Sequence, residues 1–342
     1  MKKILKRSFI LSLILLGCGL IGTVTGLFLG GANDWLLQAK QSYFTTKETV
    51  EQSLGNIPFM KAFFNIEGFS FELNDGKALF SLNEDYEKHS GDYFDFHVAS
   101  KDEITSLEIT DFDSVLTIRE SKGDSFGIES RNAGDFQYYV EDGTFYIGVF
   151  PEFKNHSPVN PAELIVYIPG GVRFERAYVY FMGNRADIEC TLTGTEGIFL
   201  SPNGDELNYE GLVFDTLKLQ NGTGSSTVKT IEARDVLVDV GAGDCVIDSI
   251  TADEFEGNVS SGDLSLSGDI RDVNLKCGTG DVEFYPSRSE NEYSIDLTGR
   301  PKEILIGNVS YSGPLMNTYI AGTGEGTLKI KCDMGNVKVG FY

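Results

Sequence analysis

The chain has 342 residues, of which 51 are acidic and 28 basic, giving a formal charge of −23. A surface of this charge repels phosphate backbones, so nucleic acid is excluded as a partner. The length allows one large or two ordinary domains. Hydrophobic residues make up 41% and aromatic residues 12% of the chain, which is enough for a sizeable core and excludes wholesale disorder.

The first 33 residues predict a membrane anchor. Four basic residues lie between Lys2 and Arg7, and residues 8–33 then carry no charge over 26 positions. This length spans a bilayer, and the basic flank stays in the cytoplasm, which places the rest of the chain outside the cell membrane. Two alternatives remain open. One is a cleaved signal peptide, and the other is a lipoprotein signal in which Cys18 of Leu15-Leu16-Gly17-Cys18 is lipidated. The apolar run continues well past Cys18, which favours an uncleaved transmembrane helix.

The segment 34–92 is predicted as a juxtamembrane helix and linker. Residues 34–56 contain strong helix formers and no glycine before Gly55, and residues 57–92 are punctuated by glycine, asparagine and aspartate. From Tyr93 the chain changes to short alternating segments such as FDFHVA, SLEIT and TFYIGV, separated by turn residues. Residues 93–342 are therefore predicted as a β-strand ectodomain.

A repeat of about 18–21 residues dominates the second half of the chain. It is marked by a glycine before a turn residue, and the marker glycines are Gly183, Gly204, Gly224, Gly243, Gly262, Gly280 and Gly335. Around Gly243, positions −7, −5 and −3 are Val236, Val238 and Val240, and the other units alternate in the same way. Such alternation predicts strands with one buried face, which are stabilised when successive units stack. The predicted fold is all-β, a β-solenoid-like stack of strand–turn–strand repeats preceded by one transmembrane helix.

The Gly-Asp phrase of these repeats has a structural and a chemical interpretation. In the structural one, glycine at Gly204, Gly224, Gly243, Gly262 and Gly280 supplies a positive φ, and the next residue bonds the turn backbone. In the chemical one, stacked corners form an acidic ridge of Asp244, Asp263 and Asp281 that binds calcium or acts on a glycan. One carboxylate per turn falls short of the six to eight oxygens that calcium prefers. A phosphate loop is disfavoured because each phrase leads into a strand and not a helix.

Neither the cysteines nor the histidines predict a metal or cofactor site. Only three histidines are present, and no zinc motif occurs. Cys245, Cys277 and Cys332 fall at inward positions of the repeat and are expected to be buried thiols that pack as small hydrophobic residues. Cys277 and Cys332 are expected to lie several coils apart and therefore not to be bonded.

Three phrases carry a resemblance to a known family. These are Asp142-Gly143-Thr144-Phe145-Tyr146-Ile147, the strand ending in Ile168-Pro169, and the terminal GNVKVGF at residues 335–341. Together with the serial GxGD repeats, they resemble the bacterial "putative adhesin" family of β-strand repeat proteins, domain of unknown function 4097, over about residues 93–342. The resemblance implies a β-solenoid-like stack and supplies no catalytic residues. The chain departs from the family pattern after Gly183 and beyond residue 285.

The sequence thus favours a membrane-anchored, extracytoplasmic β-repeat protein of the cell envelope that is not an enzyme. It is expected to bind other cell-envelope proteins or glycans, in an adhesin-like or envelope-stress role, and to need no cofactor. The alternative is a carbohydrate-active β-helix enzyme that uses the corner aspartates. A passive spacer is a third possibility that the sequence does not separate from a binding module.

Overall fold

A computed structural model describes residues 70–74, 77–81, 86–112, 114–149, 161–320 and 324–341. The chain divides into two compact units, Met1–Phe80 and Ser81–Tyr342. The predicted anchor (1–33) and juxtamembrane helix (34–56) lie outside the described residues. In the ranges that are described, no helix is long and apolar enough to cross a bilayer.

Strands begin earlier than the sequence predicts. Strands β1 (Ser70–Asn74) and β2 (Lys77–Ser81) form a two-stranded sheet, and β3 (Lys88–Ser100) starts before Tyr93. Within the segment predicted as a linker, residues 70–74, 77–81 and 88–92 are therefore strand.

The second unit is built almost entirely of strands. The first group is β3, β4 (Ser106–Asp111), β5 (Val115–Ser121), β6 (Ser125–Glu141), β7 (Thr144–Val149), β8 (Glu163–Pro169) and β9 (Arg173–Phe181). The long strands are β10 (Arg185–Ser201), β11 (Glu206–Asn221), β12 (Ser225–Val240), β13 (Asp244–Val259) and β14 (Leu264–Cys277). The last group is β15 (Asp281–Pro286), β16 (Tyr293–Gly299), β17 (Glu303–Ile306), β18 (Val309–Tyr311), β19 (Leu315–Ile320), β20 (Gly326–Cys332) and β21 (Asn336–Val339). A single 3-10 turn, Glu290–Glu292, interrupts the strands among the described residues. The all-β class is confirmed.

The long strands β10 to β14 pair in parallel with their sequence neighbours. Each residue lies beside one 18 to 21 positions further along the chain, as in the pairs Arg185↔Glu206 and Ile250↔Gly268. Only the outermost long strands change a neighbour along their length: the first half of β10 pairs with β5 and the second half with β9, and the first half of β14 pairs with β15 and the second half with β20. Strands β11, β12 and β13 keep the same two neighbours throughout.

The predicted inward positions are buried. Val238, Leu266 and Leu275 are each at most 1% exposed. The residues seven, five and three before Gly243 and Gly280 are also buried, as are those two and four after them. The strand phase taken from the alternation is thus confirmed, because a shift of one residue would have reversed every inward and outward position.

The two ends of the stack are more complex than a simple series of repeats. At the amino-terminal end, seven strands pair into a closed ring in the order β4, β9, β10, β5, β8, β6 and β7. The antiparallel pairs of β6 with β7 and β8 close this ring. The sequence did not predict ring closure, because antiparallel pairs break the fixed offset from which the repeat was recognised.

The carboxy-terminal strands do not stack in sequence order. Strand β20 lies between β14 and β16, and β21 lies between β15 and β17. The chain therefore runs outward through β16 to β19 and returns to fill a gap between strands that precede it. This arrangement brings the corner at Gly335 directly against the corner at Gly280.

Candidate functional site

The Gly-Asp corners stack on one another along one edge of the long strands. The amide of Asp244 donates to the carbonyl oxygen of Gly224 at 3.1 Å, and the amide of Gly262 donates to that of Gly241 at 2.9 Å. The corner residues are thus connected by backbone hydrogen bonds from one repeat to the next. The sequence correctly placed these residues in consecutive turns.

The marker glycines are required by close contact and not by a positive φ. A Cβ atom on Gly243 would lie 1.8 Å from the carbonyl oxygen of Gly224, and one on Gly262 would lie 1.7 Å from that of Gly243. The same contact occurs at Gly224 and Gly280, whereas a Cβ on Gly204 would meet the Ser201 side chain instead. None of these glycines has a positive φ. The predicted reason for the glycines was therefore wrong, and the actual reason is the direct stacking of backbone on backbone.

The corner aspartates form a ladder between repeats. Oδ1 of Asp244 accepts a hydrogen bond from the amide of Asp263 at 3.3 Å, and Oδ1 of Asp263 accepts one from the amide of Asp281 at 2.9 Å. Oδ1 of Asp281 in turn accepts from the amide and the Nδ2 of Asn336 at 3.0 and 2.7 Å. Each carboxylate bonds the next repeat, and not its own turn as predicted. The three carboxylates are adjacent in space but each already has a backbone partner.

The acidic ridge can be compared with what a metal or a catalytic pair needs. Throughout the described ranges, no group of three or more His, Cys, Asp or Glu side chains is placed to hold a metal ion. The ion pairs that the structure describes lie elsewhere, for example Arg119 with Glu189 and Lys229 with Glu210 on the outer faces. Only their proximity to one another keeps Asp244, Asp263 and Asp281 as candidates for a calcium site or a catalytic site.

A groove with a volume of about 710 Å³ runs across six strands, β10 to β14 and β20. Two ladders of equivalent positions line it, and the strand register places the members of each ladder side by side. The first ladder contains Glu196, Thr216, Asp235, Glu254, Asp272 and Thr327. The second contains Ile198, Lys218, Leu237, Glu256, Asn274 and Lys329.

The sequence contained a signal for this groove that was missed. The ladder positions lie eight and six residues before the marker glycines, one step outside the inward positions that were used to find the repeat. The residue eight positions before each marker glycine is always acidic or a threonine, whereas the residues at the inward positions are mostly apolar. The pattern alone does not reveal that these two columns line a groove.

The groove carries ionised carboxylates with cations beside them. The hydrogen bond from Lys276, 2.5 Å long, lowers the pKa of Glu256 against the opposing effect of burial. Burial raises the pKa of Asp272, but hydrogen bonds from Arg271 and Thr327 outweigh this effect and leave that pKa below its ordinary value. Solvent-exposed ion pairs contribute about 0–1 kcal/mol each. The ion pairs with Lys276 and Arg271 therefore hold these carboxylates only weakly, whereas Asp272 also accepts hydrogen bonds from the amide and the hydroxyl of Thr327 at 3.1 and 2.8 Å.

A second exposed surface lies on β3, which pairs only with β6 among the described strands. Phe94 and Phe96 are 72% and 46% exposed, and their rings stack with centroids 5.9 Å apart. Between β3 and its partner β6, the hydroxyl groups of Tyr93 and Tyr138 lie 2.5 Å apart, and Tyr138 donates to Asp95 at 3.1 Å. Burial and these hydrogen bonds raise the pKa of Tyr138. The exposed part of this surface is thus the aromatic pair Phe94 and Phe96.

The chain was compared with solved structures, curated proteins and family models. The chain is similar to the crystal structure of a "putative adhesin" from Parabacteroides distasonis ATCC 8503, with 17% identity, a TM-score of 0.44, and coverage of 75% of this chain and 98% of that one. A second "putative adhesin", from Bacteroides fragilis NCTC 9343, gives 11% identity, a TM-score of 0.39, and coverage of 74% and 97%. No curated protein matches the chain. The model of the Toastrack DUF4097 family matches residues 104–299, which is more than half of the sequence, and the chain therefore belongs to that family.

Proposed function

We propose that this protein is a membrane-anchored, extracytoplasmic module of the cell envelope that binds an extended polymer and is not an enzyme. Its stacked repeats act as a solenoid-like scaffold, and residues 8–33 hold it in the membrane with its amino terminus in the cytoplasm. The observation that carries this proposal is the groove, since two outward ladders repeat on every strand from β10 to β14 and on β20. A surface with the period of the strands suits a ligand that extends across several of them.

The charge of the groove restricts the chemistry of this ligand. Its carboxylates, together with a formal charge of −23, repel anionic polymers. Ionised carboxylates accept hydrogen bonds from hydroxyl groups and attract ammonium groups. The best-fitting partner is therefore a neutral or cationic envelope glycan, and a basic surface of another envelope protein is the second choice.

Binding to amino-sugar oligomers tests this proposal. The full chain in detergent is titrated with glucosamine oligomers, which are cationic, and with their uncharged N-acetylated forms. The test variant is Glu254→Lys, which changes a residue that lines the groove. The matched control is Asp248→Lys, which changes an exposed residue outside the groove. We expect Glu254→Lys to weaken binding at least about tenfold, or ~1.4 kcal/mol, and the control to change it little.

Two outcomes would contradict the proposal. Equal affinities of the two variants would place the ligand outside the groove. Release of new reducing ends from either oligomer, lost in the Asp244/Asp263/Asp281→Asn variant, would establish the carbohydrate-active enzyme instead.

The anchor has its own test in the mass of the membrane-extracted protein. We expect the mature chain to retain Met1 to Asn33 without a lipid, because the uncharged run is long enough to span a bilayer. A diacylglyceryl group on Cys18, with residues 1–17 absent, would show a lipoprotein in its place. Cleavage after the apolar run would show a secreted protein.

A further inference from the structure

Two buried cysteines far apart in the sequence are direct neighbours in the structure. Cys277 at the end of β14 and Cys332 at the end of β20 are register partners in parallel strands, although they are 55 positions apart in the chain. Their exposed fractions are 3% and 0%. The sequence-based expectation that they lie several coils apart was wrong, because β20 returns to pack against β14.

The geometry of this pair fits a disulfide. Neighbouring strands lie about 4.7–4.9 Å apart, which falls within the roughly 4.4–6.8 Å between Cα atoms that a disulfide accepts. Both side chains point inward, and their sulfur atoms are within hydrogen-bonding reach of each other. Each thiol also donates to the carbonyl oxygen of the marker glycine three residues later, at 2.8 Å for Cys277 and 3.3 Å for Cys332.

The fully folded protein is a poor place for thiol exchange. The neighbouring Cys332 thiol and burial raise the pKa of Cys277, which keeps that thiol protonated. Both sulfur atoms are also closed off from solvent. Thiol–disulfide exchange therefore takes place during folding, while β20 enters the gap between β14 and β16 and one or both thiols are still accessible.

We propose that Cys277 and Cys332 form a disulfide that fastens the returning strand β20 to β14 when the chain folds in an oxidising compartment. The thiolate of one cysteine attacks a sulfur of a donor disulfide, which is supplied by a thiol–disulfide oxidoreductase or a small-molecule disulfide, and releases a donor thiolate. The second cysteine thiolate then attacks the mixed disulfide and releases the other donor thiolate. The pair loses two protons and two electrons in total, and the donor disulfide is reduced to two thiols.

The bond closes a long loop containing β15 to β19. Cross-linking residues far apart in the sequence stabilises mainly by restricting the unfolded chain, and the effect increases with loop length. It also blocks the escape of β20, the strand that enters its sheet out of sequence order. The proposal goes beyond the proposed function, since it applies whatever the groove binds.

Refolding in a defined redox buffer tests the proposal. The full chain is unfolded in denaturant with reductant and then refolded in detergent, either with reduced and oxidised glutathione or with reductant alone. Non-reducing peptide mass spectrometry of the oxidised sample should give a linked Cys277–Cys332 peptide, two hydrogen masses lighter than the two free peptides. The melting temperature should rise on the order of 5 °C over the reduced sample.

Two cysteine variants separate this bond from general effects of oxidation. Cys332→Ala should abolish the redox-dependent rise, whereas Cys245→Ala, which removes an equally buried thiol, should retain it. If Cys332→Ala fails to fold, alkylation of the unfolded wild type after oxidative refolding decides the question, because a bonded pair is protected from the reagent. Free Cys277 and Cys332 in that experiment would overturn the proposal, as would linkage of either residue to Cys18, Cys190 or Cys245.

Discussion

Gly243→Ala and Gly262→Ala should each destabilise the protein by roughly 3 kcal/mol or more, at or above the upper end of the usual range for overpacking. The added Cβ would lie 1.8 and 1.7 Å from a carbonyl oxygen of the preceding corner. Since the obstacle is backbone, it cannot rotate away as a side chain does, and the two repeats have to separate. The measurement is the free energy of unfolding of the full chain in urea.

Gly123→Ala is the matched control for these variants. Gly123 is also a glycine without a positive φ, but a Cβ added there meets no atom within 4 Å. Its substitution should change stability by less than about 0.5 kcal/mol. If all three variants were equally stable, the stacking of the corners would not be the reason for glycine in the Gly-Asp phrase.

Leu275→Ala should cost roughly 2–4 kcal/mol, because a closely packed stack relaxes poorly around a cavity. Leu275 is completely buried, and its side chain occupies space beside Gly257, where a Cβ would lie 3.1 Å from Leu275 Cδ2. The loss of this side chain leaves a void that a glycine on the neighbouring strand cannot fill. The measurement is again unfolding in urea, compared at equal slopes.

The neighbouring outward residue provides the control. Asn274→Ala removes a partly exposed side chain of the groove and should change stability by about 0.5 kcal/mol or less. The same comparison applies to Val238 and Asp239, although Asp239 accepts a hydrogen bond from Asn258 at 2.8 Å and should lose slightly more. A reversed order in either pair would mean that the strand phase is wrong by one residue.

The sequence was sufficient for the features that repeat at a fixed spacing. Apolar residues alternate with other residues before the marker glycines, as Val236, Val238 and Val240 do before Gly243. This period of two residues predicts both the strands and their inward faces. The repeat length also predicts which corners are consecutive, and so the proximity of Asp244, Asp263 and Asp281. Local patterns and a constant offset are enough for these statements.

Features that depend on three-dimensional contact were not predictable in this way. In the sequence, Gly243 could be explained by a positive φ or by a close contact with another part of the backbone. Only the stacked corners in the structure show that close contact is the reason. The pairing of Cys277 with Cys332 depends on a strand that returns out of order, which no fixed offset describes. The groove depends on six strands lying side by side, one of which, β20, joins the others out of sequence order, and a fixed offset does not describe that arrangement.

The central claim is that the Gly-Asp phrase is a structural corner and not a ligand site. Melting temperatures of the wild type and of the Asp244/Asp263/Asp281→Asn variant, each in millimolar calcium and in chelator, test it directly. The asparagine amide oxygen can still accept the amide hydrogen bond of the next repeat, so we expect the variant to melt close to the wild type. We expect no difference between calcium and chelator for either protein. A rise in melting temperature with calcium that is present in the wild type and lost in the variant would contradict the claim.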